Sequence, residues 1–496
     1  MKISRLAGVA AALLFSATAD AQSVVAFVDV NVVAMQDERV LPHRTVLVRD
    51  GRIAAIGPVD SVAVPEDALR VPGGGAYLMP GLADMHAHPV DPILHPMYLS
   101  YGVTTVQYLN AFDEIRDWPA DAAGPRIEAC AGPIVGVRTV EDARRIVAEH
   151  ATRGWDCIKI YDDISAEAYT ALVAEARARG MRALGHIPRN LGWRDMLAAD
   201  PDAVAHAEEF LYSPIGTQAE VDSIVEGMRD RGIALITTLT NYDLITRQRV
   251  DLDGLLAADL RHVPAVERRV WTAGRNRYLR LSANIPNQRR LLGFQRSLVR
   301  RLGAAGVPIL LGTDAGNNFG LAGASVPDEL AQLVRAGLSP YQALRAATVA
   351  PAAFLGDADE AGTVTVGKRA DLLLVLGNPL DDVANAGLIA GVMAGGRWLP
   401  ADSLHAMRAR LADALRPEAE LVRMVDDEGL DAALAWVAET APALRPRALN
   451  ELAYQLWKLE DRLPDAVRVF ESNVRLHPEW TPGRESLAEA RAAAGR

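Results

Sequence analysis

The chain has 496 residues, half of them hydrophobic, and a formal net charge of −11. That length calls for two or three domains around a large core. So acidic a chain is poorly suited to nucleic acid or an anionic membrane, and no Lys/Arg cluster interleaved with aromatics offsets the charge.

Residues 1–21 read as a secretory signal peptide. Lys2 and Arg5 precede the apolar run Leu6–Leu14, and Ala19-Asp20-Ala21 offers a small-x-small cleavage site before Gln22. The run is shorter than the ~20 residues a spanning helix needs. The expectation is therefore a periplasmic or secreted protein, cleaved after Ala21, with no membrane attachment afterwards. Export implies an oxidising compartment, yet there are only two cysteines, Cys130 and Cys157. Both fall on neighbouring predicted strands, so they can pair if their Cα atoms come within about 7 Å. Cys157 also shares a strand face with Lys159, which favours packing beside a site over pairing.

Residues 22–80 contain the short β-like runs Val24–Val33, Thr45–Val48 and Ile53–Ile56, with turn signals such as Asp50-Gly51 between them. Residues 362–400 return to this pattern in Asp371–Leu376 and Leu388–Met393, and one small β-sandwich built from both flanks is the economical arrangement. Between the flanks, residues 81–361 alternate strand-like and helix-like segments, the pattern of a (β/α)8 TIM barrel in the α/β class. Helices are expected over Val140–Arg153, Ala166–Gly180 and Pro327–Ala336. Strand ends are expected at His86/His88, Asn110, about Gly136, Lys159, His186, His206, Thr240 and Asp314. Asn241–Asn287 is long for one connection and is expected to cap the barrel mouth. Residues 401–496 are helical and rich in Ala, Leu, Glu and Arg. Ala466 and Phe470 follow Ala432 and Trp436 by 34 residues, and Leu487 follows Ala453 likewise. This resembles a short tetratricopeptide-like tail, a route to a homo-oligomer or protein partner; an ordinary bundle is the alternative.

Residues 79–89 read Met-Pro-Gly-Leu-Ala-Asp-Met-His-Ala-His-Pro. On a strand, His86 and His88 face the same way, and two neutral imidazoles make half of a divalent-metal site. Lys159, His186, His206 and Asp314 each close a short apolar run, and a barrel gathers such strand ends at one mouth. Together with Gly367-Lys368-Arg369-Ala370-Asp371-Leu372, these residues resemble the amidohydrolase superfamily over roughly residues 22–400. Within it they look most like the imidazolonepropionase/prolidase-like branch, which includes Xaa-Pro dipeptidases and ochratoxin-type amidases.

The resemblance implies two divalent metal ions, with zinc suited to nitrogen and carboxylate ligands. His86 and His88 would hold one and His186 and His206 the other. Lys159, N6-carboxylated by carbon dioxide, would bridge them, since a protonated lysine has no lone pair to offer. Asp314 would ligate one metal and carry the proton between a metal-bridging hydroxide and the leaving amine. Tyr161 could donate to the scissile carbonyl, and Arg138, Arg189 and His262 are candidate contacts to the substrate.

Two departures narrow the reading. His186-Ile187-Pro188-Arg189 lacks the glutamate of the deaminases' His-x-x-Glu. Pro188 and Arg189 also stand where prolidase-like relatives often carry a tyrosine, so Xaa-Pro specificity is not implied. The expected function is hydrolysis of amide or peptide bonds in small dipeptide-like or N-acyl amino acid substrates. A lactonase or phosphotriesterase on the same metals is one alternative, and a non-catalytic scaffold working through its helical tail is another.

Overall fold

The computed structural model describes residues 24–88, 91–116, 124–272, 274–280, 284–316, 319–440 and 444–495, and the expected signal peptide lies outside them. Contacts divide the chain into two units, one of residues 1–246 with 284–407 and one of 247–283 with 408–496.

The first unit begins with strands β1 (Val24–Val33), β2 (Val40–Arg49), β3 (Arg52–Pro58), β4 (Leu69–Pro72) and β5 (Tyr77–Pro80). It ends with β14 (Leu372–Val375), β15 (Ile389–Ala394) and β16 (Arg397–Pro400). These are hydrogen-bonded in the order β16-β15-β14-β5-β1-β2-β3, with β4 on β1. The two flanks meet where β14 runs antiparallel to β5, Leu373 opposite Met79. The expected sandwich is thus one curled sheet, closed over a core that includes Phe27, Val46, Leu78, Leu372 and Met393.

The barrel strands are β6 (Leu82–Ala87), β7 (Val103–Leu109), β8 (Arg126–Val135), β9 (Cys157–Asp162), β10 (Arg182–Gly185), β11 (Ala203–Ala205), β12 (Ala234–Ile236) and β13 (Ile309–Leu310). All eight are parallel and paired in sequence order. The ring closes between first and last strands, where Met85 N–H donates to the Leu311 carbonyl (2.8 Å) and Asp314 N–H to that of His86 (2.7 Å). Alternation along β9 sorts its side chains. Cys157 joins Met85, Leu184, Ile236 and Leu310 in the interior cluster, while Ile158 and Ile160 join the core that includes the helices. The helices Val140–Thr152 and Ala166–Ala178 start at Thr139 and Ser165, whose hydroxyls accept the N–H groups of Asp142 and Ala168.

Two expectations are corrected here. Cys130 and Cys157 are direct register partners on β8 and β9, 4.4 Å apart at Cα, and form a disulfide. Both point into the barrel, so sharing a face with Lys159 and pairing are compatible. Strand β12 ends at Ile236 and not at Thr240, because the helix Leu239–Val250 begins almost at once. The buried Glu329 carboxylate terminates the strand. It accepts from Thr237 Oγ1 (2.5 Å) and from the N–H groups of Leu239 (3.0 Å) and Thr240 (2.6 Å), occupying helix N–H groups that have no partner inside the helix.

In the second unit the helices Leu430–Thr440, Pro446–Tyr454, Leu463–Leu476 and Thr481–Ala494 surround a core of Val437, Leu449, Leu452 and Phe470. The long connection supplies residues 247–283 to this unit, and Val266 joins its core. Arg269, its side chain 1% exposed, bonds to Asp426 (3.0 Å) and Glu460 (2.7 Å). No helix among the described residues is long and apolar enough to cross a membrane.

Candidate metal centre

Four histidines line one arc at the C-terminal ends of the barrel strands. His88 neighbours His86 (ring centroids 5.4 Å apart), His86 neighbours His206 (4.5 Å), and His206 neighbours His186 (4.7 Å). Asp314 Oδ1 lies 3.3 Å from His86 Nε2 and 3.0 Å from His88 Nε2. Donor atoms of His86, His88 and Asp314 all fall within 4.8 Å of one another. Lys159 is buried on β9, and its charge is felt by His86 and His206. The six expected ligands therefore come from β6, β9, β10, β11 and β13 or the residues just beyond them.

The backbone bends hard to make this possible. His206 (φ 73°) and Asp314 (φ 57°) occupy the left-handed region, which non-glycine residues seldom adopt. Gly185 (φ +138°), just before His186, admits no side chain, since a Cβ there would sit 2.1 Å from the Ile160 carbonyl oxygen.

Each side chain is held by neighbours. His186 Nδ1–H donates to Glu209 Oε1 (2.8 Å), which leaves its Nε2 lone pair free. His206 Nδ1 shares a hydrogen bond with Thr238 Oγ1 (2.8 Å). Asn241 Nδ2 donates to Asp314 Oδ2 (2.6 Å), so Oδ1 is the oxygen turned toward His86 and His88. Asp84, two residues before His86, accepts from Thr313 Oγ1 (2.5 Å), Thr313 N–H (3.0 Å) and His86 N–H (3.2 Å).

The electrostatics match a cation site. Burial, and next the nearby Lys159 for His86 or His186 for His206, holds both imidazoles well below the usual histidine value and therefore neutral. Burial works to raise the Asp314 carboxyl, yet the group is held well below the usual carboxylate range, the hydrogen bond from His88 being the contribution that does not require a charged His86 or His206. Burial draws the Lys159 amine down to about 8, against the opposing pull of Asp314 and Glu209. Both ring nitrogens of His86 and Oδ1 of Asp314 are buried with no hydrogen-bonding partner among the described residues. Neutral nitrogens and an ionised oxygen, desolvated and converging, fit a divalent cation.

The other expected contacts are dispersed. Tyr161, 42% exposed, sets its ring edge-on to His186 at 4.5 Å. Arg189 lies over the Tyr212 ring. Arg138 is engaged with Asp163 at an exposed position. His262 belongs to the second unit. Sequence reading missed Glu209, Asn241, Thr238 and Asp84. Only Asp84 carried a signal, because period-two alternation puts it on the face of His86.

A family model described as the amidohydrolase family matches residues 96–399, a span that begins after His86 and His88. No curated protein matches the chain. Among solved structures, a prolidase candidate from Bifidobacterium longum is 26% identical, with a TM-score of 0.61 over 79% of this chain and 100% of that one. A bottromycin amidohydrolase is 25% identical, with a TM-score of 0.65 over 83% and 94%. A Xaa-Pro dipeptidase solved with methionine in its active site shares the fold at 18% identity, with a TM-score of 0.60 over 76% and 100%.

Proposed function

The chain belongs to the amidohydrolase family, and from that premise we propose that it hydrolyses the amide bond of small N-acyl amino acids or dipeptide-like substrates. The observation that carries this reading is the convergence of buried His86, His206 and Asp314 with part-buried His88 and His186 around the buried Lys159 at the barrel mouth. The similarity to a prolidase candidate and to a bottromycin amidohydrolase, at 26% and 25% identity, supports the substrate class.

Those five residues, with Lys159 once carboxylated, would hold two divalent ions, with zinc suited to the donor set. When bound, such ions acidify a water and polarise the scissile carbonyl. The chain's own residues do the remaining work. The Lys159 amine, neutral above about pH 8, has the lone pair needed to attack carbon dioxide and lose a proton, becoming an anionic carbamate. Asp314 Oδ1 takes the proton of the attacking water and returns it to the leaving nitrogen. Asn241 fixes which oxygen does so, and Glu209 fixes the His186 tautomer. The Tyr161 hydroxyl donates to the carbonyl oxygen.

We read the protein as exported, and the tail as tetratricopeptide-like. The function is tested on metal-supplemented protein, with and without chelator, against dipeptides, N-acyl amino acids, lactones and phosphotriesters. Chelator-sensitive turnover of the amides is expected. Turnover confined to lactones or phosphotriesters would replace this reading.

A further inference from the structure

Between Glu267 and Asp314 the chain places ten arginines and no acidic residue, although acidic residues outnumber basic ones overall. The helix Ile285–Ala304 buries Leu292, Leu298, Val299 and Leu302 on one side. Arg289 and Arg300 are exposed on the other. Eleven residues separate them, which is three turns, or about 16 Å along the axis. Arg290 and Arg296 stand beside them on the same helix. The helix Val326–Ala336 packs alongside, tied on by Arg296 Nε donating to Gln332 Oε1 (3.1 Å), and adds the exposed Arg335. Its end is close to Arg300, because a Cβ on Gly337 would stand 2.8 Å from Arg300 Cδ. We propose that this five-arginine face docks reversibly on an anionic lipid surface, its guanidinium groups pairing with headgroup phosphates.

None of the five makes an ion pair among the described residues, and Arg290 and Arg296 donate only to the neutral amide oxygens of Asn287 (2.9 Å) and Gln332. The carboxylates whose charge reaches Arg296 are Asp243 and the buried Glu329, and Glu329 is occupied by Thr237, Leu239 and Thr240. Exposed arginines elsewhere are bound, Arg145 by Asp142 and Glu149, and Arg423 by Glu420 and Glu428. Like charges one turn apart, such as Arg296 and Arg300, are destabilising in a helix, and an anionic partner relieves them. Guanidinium groups take phosphate bidentately. The net charge of −11 opposes an anionic surface for the molecule as a whole. Beyond about 8 Å that charge is screened at physiological salt, so the local cluster decides. A protein partner, a second copy included, would need an apolar centre to the contact. None of the exposed large hydrophobic side chains lies on these two helices, which also leaves no platform for stacked bases. One helix precedes β13 and the other follows Asp314 on the outer wall of the barrel, so docking leaves the strand-end mouth open.

Co-sedimentation of the full-length protein with lipid vesicles tests this. The protein should bind phosphatidylcholine vesicles that contain phosphatidylglycerol and ignore pure phosphatidylcholine. It should detach at about 1 M salt, where the screening length falls to about 3 Å. Each arginine near such a surface contributes about fivefold in affinity. Arg289→Gln/Arg300→Gln should therefore bind about 25-fold more weakly at unchanged metal content, and Arg290→Gln/Arg335→Gln repeats the test on the same face. Arg145→Gln/Arg423→Gln alters the net charge equally and should bind as the wild type does. Failure to bind the anionic vesicles, equal binding to neutral ones, or equal weakening in the control variant overturns the proposal. So does binding abolished by millimolar inorganic phosphate at matched ionic strength, which would mark a single-phosphate site. Tighter binding to duplex DNA, or low-salt self-association in light scattering without vesicle binding, would assign the face to another partner and overturns it too.

Discussion

Lys159 is the residue whose chemistry depends most on its surroundings. Burial lowers its amine to about 8. Below that pH the amine is protonated and cannot attack carbon dioxide; above it the amine is neutral and can. Metal-stripped protein, reconstituted at constant dissolved carbon dioxide, should therefore take up more zinc near pH 8.5 than near pH 6.5, and Lys159→Arg should gain nothing from the change. Equal uptake at both pH values, read by elemental analysis, would remove the carbamate. Asp314→Asn keeps the shape of the side chain but cannot accept a proton. Turnover should fall by about 10²–10⁴, the usual scale for general acid-base catalysis, with some metal retained; normal turnover would place the base elsewhere. The histidines were legible because each closes an apolar run and because His86 and His88 share a face. Glu209 and Asn241 were not, since they reach His186 and Asp314 across 23 and 73 residues through tertiary packing alone.

At the level of elements, the legible strands were those with enough residues to alternate, such as β1 with ten. Strands β11 and β13, with three and two residues, have no period to read, and were placed only through the ligands that follow them. The end of β12 was misplaced because Glu329, some ninety residues later, caps the next helix. The Cys130–Cys157 disulfide, against which the sequence argues, escapes reading for a related reason, since register between two parallel strands is not visible in either one. It closes a separation of 27 residues. Chain-entropy arguments give about 3–4 kcal/mol for such a loop. The double variant Cys130→Ala/Cys157→Ala should lose about that much in chemical denaturation, and a loss below about 1 kcal/mol would mean the barrel already supplies the constraint.

For the whole molecule, two units share one chain that crosses between them more than once. Length predicts two or three domains, but nothing local announces that residues 247–283 belong with the C-terminal helices. Their bond is the buried Arg269 held by Asp426 and Glu460, and stranding a buried charge costs about 3–5 kcal/mol. Truncation after Met407 should therefore leave Arg269 and Val266 uncovered and give aggregated protein by size-exclusion with light scattering. Replacing residues 247–283 with a short linker in the same truncation should restore solubility. A simple truncation that stays monodisperse and stable would show that the inserted segment folds without its helices.

We propose that the strand ends of one barrel assemble a centre for two divalent ions. Elemental analysis of metal-supplemented, exhaustively desalted protein tests it most directly. About two zinc ions per chain are expected, and neither His86→Ala nor His206→Ala should reach that content. A wild-type protein that retains no divalent metal, or whose metal content is indifferent to both substitutions, would contradict it.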